Sequence, residues 1–263
     1  MSESIPIKIT RIDYRVIALI FGIFVGMLIY DYKYEDYVNN NFTLADVVII
    51  LAPLAGGIMS VFVARRYWSS AILGKTYLAL GIGLLFYFIA NVLYEYISDF
   101  VAPPPAAAPF PSIADAFWVA MYPFLYYHLV VNITHFKKTL NRRHVIWMAV
   151  IIGVTTGTFL YTSLSQKPPL DFAYFLGLYY VVVDAGLLAL AILGAMVFRS
   201  SILGKVWLLL VIGFLIYSFA DYWYYDYLTL FPDQYSDSHP VNMVWVLAFM
   251  IMTYALYKHK KTL

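Results

Sequence analysis

The chain has 263 residues, of which 63% are apolar and only 12% charged. A soluble domain carries about 25% charged residues, so this composition excludes an ordinary water-facing surface. The formal charge of +2 is dispersed in short basic clusters, which excludes a nucleic-acid-binding patch, and the absence of cysteine excludes disulfides, thiolate catalysis and cysteine-based metal sites.

The first apolar block, Val16 to Tyr30, follows Lys8, Arg11 and Arg15, as a signal peptide would. No small-x-small cleavage site comes next, only Asp31-Tyr32-Lys33-Tyr34, so the block is expected to remain as a helix. Hydropathy then places spans at Asp13–Asp31, Leu44–Ala64, Leu73–Ile97, Ile113–His135, His144–Thr162, Phe172–Phe198, Leu203–Leu230 and Val241–Lys258. Each is near the ~20 residues that a helix needs to cross hydrocarbon, and every gap holds charge or turn residues. Barrel strands would alternate apolar and polar positions over about 10 residues, and no such alternation is present. The expected fold class is an all-α integral membrane protein of about eight transmembrane helices.

The basic residues sort by side. Of 17 Lys and Arg, 15 fall at the termini and in the even-numbered loops, and only Lys33 and Lys167 fall opposite. The positive-inside rule then places both termini in the cytoplasm of a multi-pass protein of the cell membrane. The opposite face is acidic and aromatic. Its longest loop holds Pro103-Pro104-Pro105 and three alanines, which read as a stiff segment. No soluble output domain is expected in the chain.

An internal repeat is visible. Ser70-Ala71-Ile72-Leu73-Gly74-Lys75 matches Ser200-Ser201-Ile202-Leu203-Gly204-Lys205 at an offset of 130, and 13 of the 28 positions from Ser70 to Ile97 are identical at that offset. Asp115-Ala116-Phe117-Trp118-Val119 echoes Asn242-Met243-Val244-Trp245-Val246 at an offset of 127. The expected organisation is a parallel 4+4 duplication, residues 1–138 and 139–263, in one compact membrane domain. Four spans per repeat preserve orientation, so the pseudo-twofold axis would follow the membrane normal, unlike that of an inverted repeat.

Candidate site residues are the polar groups at membrane depth. Asp184 lies about 18 Å into its helix at 1.5 Å per residue, near the bilayer centre, where a carboxylate is costly and marks function by default. The alternative is a protonated Asp that bonds a neighbouring helix as structural glue. Asn91 and Glu95 lie one turn apart on the third span; Asp221 and Tyr225 are their equivalents on the seventh. Asp115 and Asn242 open the fourth and eighth spans, so Asn91 with Asp115, and Asp221 with Asn242, form reciprocal combinations that could close each hairpin. Pro111-Ser112-Ile113-Ala114-Asp115 also reads as a capped helix start. The run Tyr222-Trp223-Tyr224-Tyr225-Asp226-Tyr227 covers every face of its helix, more than an interfacial belt needs, and makes Trp223 and Tyr224 candidates for an aromatic box. Trp118 and Trp245 read as outer-belt residues. His128, Asn132 and His135 share a face, but the seven-residue spacing of the histidines does not suit one metal. No metal site, cofactor or catalytic motif is implied.

Pro111-Ser112-Ile113-Ala114-Asp115-Ala116-Phe117-Trp118 followed by Tyr122-Pro123-Phe124-Leu125 resembles a motif of polytopic membrane sensor domains. Those domains precede GGDEF, EAL or histidine-kinase modules in bacteria and also occur as stand-alone archaeal membrane proteins. The resemblance covers about a quarter of the chain. It implies a non-catalytic sensing or small-ligand-binding module that acts with a membrane or cytoplasmic signalling partner, or as a homo-oligomer, in a lipid bilayer and without nucleic acid. Two other readings stay open: a transporter or ion-coupled permeation pathway using Asp184, and a membrane-embedded enzyme that modifies lipids or isoprenoids.

Overall fold

A computed structural model describes residues 12–101, 110–136, 141–198, 204–231 and 234–262. The triple-proline segment, Lys8, Arg11, Lys137, Lys138, Arg199 and the Ser200–Leu203 part of the repeat motif lie outside the described residues. The helices are α1 (Tyr14–Lys33), the short α2 (Glu35–Val38), α3 (Leu44–Arg66), α4 (Leu73–Tyr96), α5 (Ile113–Phe136), α6 (Arg142–Ser165), α7 (Phe172–Phe198), α8 (Gly204–Leu230) and α9 (Val241–Thr262). Among the described residues there is no strand. Eight of the helices are long and apolar enough to cross a membrane, consistent with a multi-pass membrane protein.

Helix starts follow their capping chemistry. Asp13 accepts from the backbone of Arg15 at the start of α1, and Thr43 with Asp46 forms a reciprocal capping box on α3. Two features go beyond the hydropathy reading. Residues 35–38 form a helical turn, and α4 loosens into a π-helical turn over Ile97–Val101. Pro53 and Pro123 lie inside α3 and α5, as membrane helices tolerate when neighbours cover the freed carbonyls.

Six helices close a ring. In order round it, α3 packs on α4, α4 on α5, α5 on α7, α7 on α8, α8 on α9, and α9 back on α3. α1 lies outside against α9, and α6 outside against α7 and α8. α6 buries only Phe159 and Ser163, and α1 only Ile20, Met27 and Asp31. Their outward side chains are apolar, including Leu19, Ile29 and Val154, as a lipid-facing surface requires. The chain ends meet, because the Asp13 backbone N–H donates to the Tyr254 hydroxyl at 2.7 Å near the end of α9. The starts of α3, α5, α7 and α9 and the ends of α4 and α8 therefore gather at the opposite end of the ring.

Close approach inside the ring rests on small residues. A Cβ on Gly81 would sit 3.1 Å from the Gly57 carbonyl oxygen, and Ser60 on α3 donates its hydroxyl to the Tyr77 carbonyl at 2.7 Å. The α4–α5 and α8–α9 hairpins use glycine at the same relative place. A Cβ on Gly83 would meet the Met121 carbonyl oxygen at 3.3 Å, and one on Gly213 the Ala248 carbonyl oxygen at 3.2 Å. Those pairs differ by 130 and 127 residues, the offsets of the sequence repeat.

Candidate functional site

A cavity of about 420 Å³ occupies the end of the ring remote from the termini. Its walls come from α3, α4, α5, α7, α8 and α9 and from the connections before α3, α5 and α9. Six of the residues singled out from sequence line it: Asn91, Glu95, Asp115, Asp221, Tyr224 and Asn242. Trp223 does not. It turns to Phe219 and to His239, with ring centroids at 6.0 and 5.3 Å. Asp184 lies off the cavity and reaches it through Tyr122, which is a wall residue.

The hairpins close differently from the expectation. Among the described residues Asn91 bonds neither Asp115 nor any other carboxylate. Its amide donates to the Ile49 carbonyl at 3.0 Å, and its oxygen accepts the Trp118 indole N–H at 3.2 Å. In the other hairpin the Trp245 indole N–H donates to Asp221 Oδ1 at 2.6 Å. Asn242, expected beside Asp221, instead accepts from the Tyr235 hydroxyl at 2.7 Å and donates to the Asp237 carbonyl at 2.7 Å. The reciprocal element is thus an indole N–H donated to Asn91 in one hairpin and to Asp221 in the other. Trp118 and Trp245 are interior residues; an amphipathic indole suits a belt and a polar pocket equally, and sequence alone could not separate the two.

Asp115 takes the capping role and, in place of Asn91, a tyrosine partner. The backbone N–H and hydroxyl of Ser112 donate to its Oδ2 at 2.7 and 3.3 Å, a helix cap. The Tyr180 hydroxyl donates to Oδ1 at 2.9 Å, and the Tyr180 ring stacks on Tyr225 at 5.3 Å.

Asp184 and Asp221 are buried, with 2% and 6% of their surface exposed. Both carboxylate oxygens of Asp184 take the Tyr122 hydroxyl, at 2.9 and 3.0 Å, so a tyrosine on a neighbouring helix meets the expectation for this residue. The two carboxyls lie against each other, with Tyr217 beside them. Asp221 Oδ2 has no donor in hydrogen-bond geometry among the described residues.

Asp31, the last residue of the first expected span, sits in the last turn of α1 with 1% exposure and, among the described residues, no hydrogen-bond partner on either oxygen. It lies near Asp46, a cavity-wall residue. Its position at the end of an apolar run gave no sign that it would be buried.

A second polar cluster lies at the terminal end of the ring, and its centre, His259, went unrecognised among the C-terminal lysines. The two ring nitrogens of His259 meet the hydroxyls of Tyr77 at 2.6 Å and Tyr67 at 3.2 Å. Burial pushes the Tyr67 hydroxyl up to about 12, so it stays a neutral hydroxyl. His128 donates from Nδ1 to the Thr76 carbonyl at 3.0 Å and stacks on Trp207. Asn132 is buried beside it, whereas His135 is exposed; the shared face divides between interior and surface. Among the described residues no three acidic or histidine side chains converge as a metal site.

Between the clusters lies an aliphatic layer. Leu80 and Leu84 separate Tyr77 from Tyr87 on α4, Leu125 separates Tyr122 from His128 on α5, and Leu210 with Phe214 separates Trp207 from Tyr217 on α8. All five separating residues are at most 2% exposed. The cavity can therefore hold a small polar or aromatic guest at one end of the ring, while the other end stays packed.

No protein-family model, curated protein or solved structure matches this chain.

Proposed function

We propose that this protein is a non-catalytic membrane module that binds a small ligand, in a sensing role, within the cavity at the end of the ring remote from its termini. The observation that carries the reading is the cavity itself. About 420 Å³ lies within the range of small-molecule sites, and aromatic walls with a few convergent polar groups are what such sites use. The resemblance of the Pro111–Leu125 stretch to polytopic sensor domains supports the same role, and that stretch supplies cavity-wall residues Ser112, Asp115, Trp118 and Tyr122. The termini are proposed to face the cytoplasm, on the strength of the basic residues gathered at their end.

The chain is further proposed to be a parallel 4+4 duplication. Supporting it are the matched indole bonds of Trp118 and Trp245 and the matched glycine contacts of Gly83 and Gly213.

Transport remains the second reading, favoured by the buried Asp184–Asp221 contact. Against it stands the layer of Leu80, Leu84, Leu125, Leu210 and Phe214, buried between the two polar clusters on α4, α5 and α8. One experiment separates them. The purified protein is screened by thermal shift against a small-molecule library, beside Ser98→Trp, which fills the cavity wall, and its proteoliposomes are assayed for ion and substrate flux. Binding predicts stabilising compounds that lose their effect in Ser98→Trp, without flux. Flux that disappears in Asp184→Asn contradicts it.

A further inference from the structure

The two hairpins present the cavity with matched rings. Tyr87 and Tyr94 of α4 recur at an offset of 130 as Tyr217 and Tyr224 of α8, and Trp118 of α5 recurs at an offset of 127 as Trp245 of α9. All six line the cavity. Tyr94 packs on Trp118 with ring centroids 5.6 Å apart, and Tyr224 on Trp245 at 5.3 Å. Tyr94 and Tyr224 also lie within electrostatic reach of each other. Among the described residues the hydroxyls of Tyr87, Tyr94 and Tyr224 take no hydrogen bond, and none of the three oxygens is sealed in packing. Tyr87 is only 6% exposed, so an interfacial belt, whose polar tips sit in water, does not account for it. The wall carboxyls differ. Asp115 holds Ser112 and Tyr180, Asp46 holds Thr43, and Asp221 holds Trp245. A secluded hydroxyl without a partner costs free energy, and a guest that bonds it recovers that cost.

We propose that the cavity takes a neutral hydroxylated aromatic compound, its hydroxyl between those of Tyr94 and Tyr224 and its ring among the tyrosine and tryptophan side chains. This rests on the ligand-binding reading above and adds the ligand's chemical class. Three features select that class. The carboxyls named above already hold donors, which leaves the tyrosine hydroxyls as the open partners. A tyrosine hydroxyl both donates and accepts, and a guest hydroxyl matches it in both directions, with one bond given and one taken. The ring pairs offer faces and edges to a flat guest. None of the lining residues is Lys, Arg or His, so an anionic head would enter without a counter-charge.

The test is a head-group series on the full chain in lipid nanodiscs, with empty nanodiscs as the background for partition into lipid. The probes 4-ethylphenol, 4-ethyltoluene, 4-ethylbenzoate and 4-ethylbenzylammonium share one ring and differ at one position. Their binding is measured by titration calorimetry at neutral pH, with wild type, Tyr94→Phe and Tyr224→Phe. Each variant removes a hydroxyl that bonds nothing in the protein and keeps the ring, so the fold should persist. The proposal predicts saturable binding of 4-ethylphenol, at least ~5-fold weaker binding of 4-ethyltoluene and none of 4-ethylbenzoate. Tyr94→Phe and Tyr224→Phe should each weaken 4-ethylphenol about 3- to 10-fold and leave 4-ethyltoluene unchanged. Equal affinity for the phenol and the toluene overturns the proposal, as does preference for the benzoate or the ammonium, or indifference of 4-ethylphenol to either variant; those results leave the ligand-binding reading standing. No saturable binding of any probe also overturns the hydroxylated-aromatic proposal, and the library screen with Ser98→Trp then decides the broader reading by itself.

Discussion

At the terminal end of the ring, His259 sits between Tyr67 and Tyr77, and Trp207 stacks on His128 at 5.5 Å and on Phe198 at 4.2 Å. At the other end, Asp115, Asp221 and their tyrosine neighbours face a void of about 420 Å³. Both ends bury polar side chains in apolar surroundings. One fills its space with rings, and the other leaves a cavity beside its carboxyl and tyrosine side chains. Burial of polar groups is therefore not by itself the mark of a site here. The void makes the difference, and residues at the two ends should fail in different ways when changed.

The largest expected effect lies at the packed end. Trp207 is 1% exposed, and Trp207→Ala should cost about 3–5 kcal/mol of stability. Trp245→Ala, at the cavity, should cost about 2 kcal/mol, mainly through the bond lost to Asp221. Unfolding in denaturing detergent checks both, and equal losses would erase the distinction between the ends.

Asp184 sharpens the comparison at its midpoint. Asp184→Leu deprives the Tyr122 hydroxyl of its acceptor and should cost about 1–3 kcal/mol. Asp184→Asn retains an acceptor and should leave the fold intact. A thermal melt that ranks Asn as damaging as Leu would show that the charge, and not the hydrogen bond, holds this place.

The two hairpins offer a comparison between halves. Gly83→Val and Gly213→Val each push a side chain into the facing helix, against Met121 and Leu125 in one case and Ala248 and Met252 in the other. Each should cost about 1–3 kcal/mol. If one position tolerates valine freely, the matched packing proposed for the halves does not hold.

The smallest effect is a pH dependence at the connection before α9. Partial burial lowers His239 from its ordinary value near 6.5, and its Nδ1 accepts the Val241 backbone N–H at 3.3 Å. The folded protein thus binds this proton less readily than the unfolded chain. Stability should be full above pH 6.5 and fall as pH drops through 6.5 toward the lowered folded value. His239→Phe should flatten that part of the stability profile, and an unchanged slope would assign it to other groups.

Much of the fold was legible because hydrocarbon imposes a length. Phe172–Phe198 falls at the expected bounds, and the other spans differ by a few residues at their ends. Polar residues at depth were legible for the same reason: Asp184 and Asp221 stood out because a lipid-facing carboxylate is costly. Their partners were not legible, since the ring order that sets α7 beside α5 leaves no trace in hydropathy. Tyr122 was noticed only within a motif, and Trp245 only as half of a repeat. His259 was hidden because a histidine among terminal lysines looks like surface charge until α9 is seen to bury it against Tyr77. Trp223 was selected with its neighbours because a run covering every helix face does not say which face meets the cavity.

The central claim is that the cavity is open to one end of the ring and closed from the other by the aliphatic layer. The chain has no cysteine, so single cysteines report without background. Ser98 lines the cavity, and Thr76 is fully buried beyond the layer, with His128 bonded to its carbonyl. Sealed vesicles of each orientation, carrying Ser98→Cys or Thr76→Cys, are treated with a membrane-impermeant maleimide. The account predicts that Ser98→Cys reacts only from the face opposite the termini, and that Thr76→Cys reacts from neither face until the protein is unfolded. Labelling of Thr76→Cys in the folded protein from the face that labels Ser98→Cys would contradict it, because the layer would then be a passage.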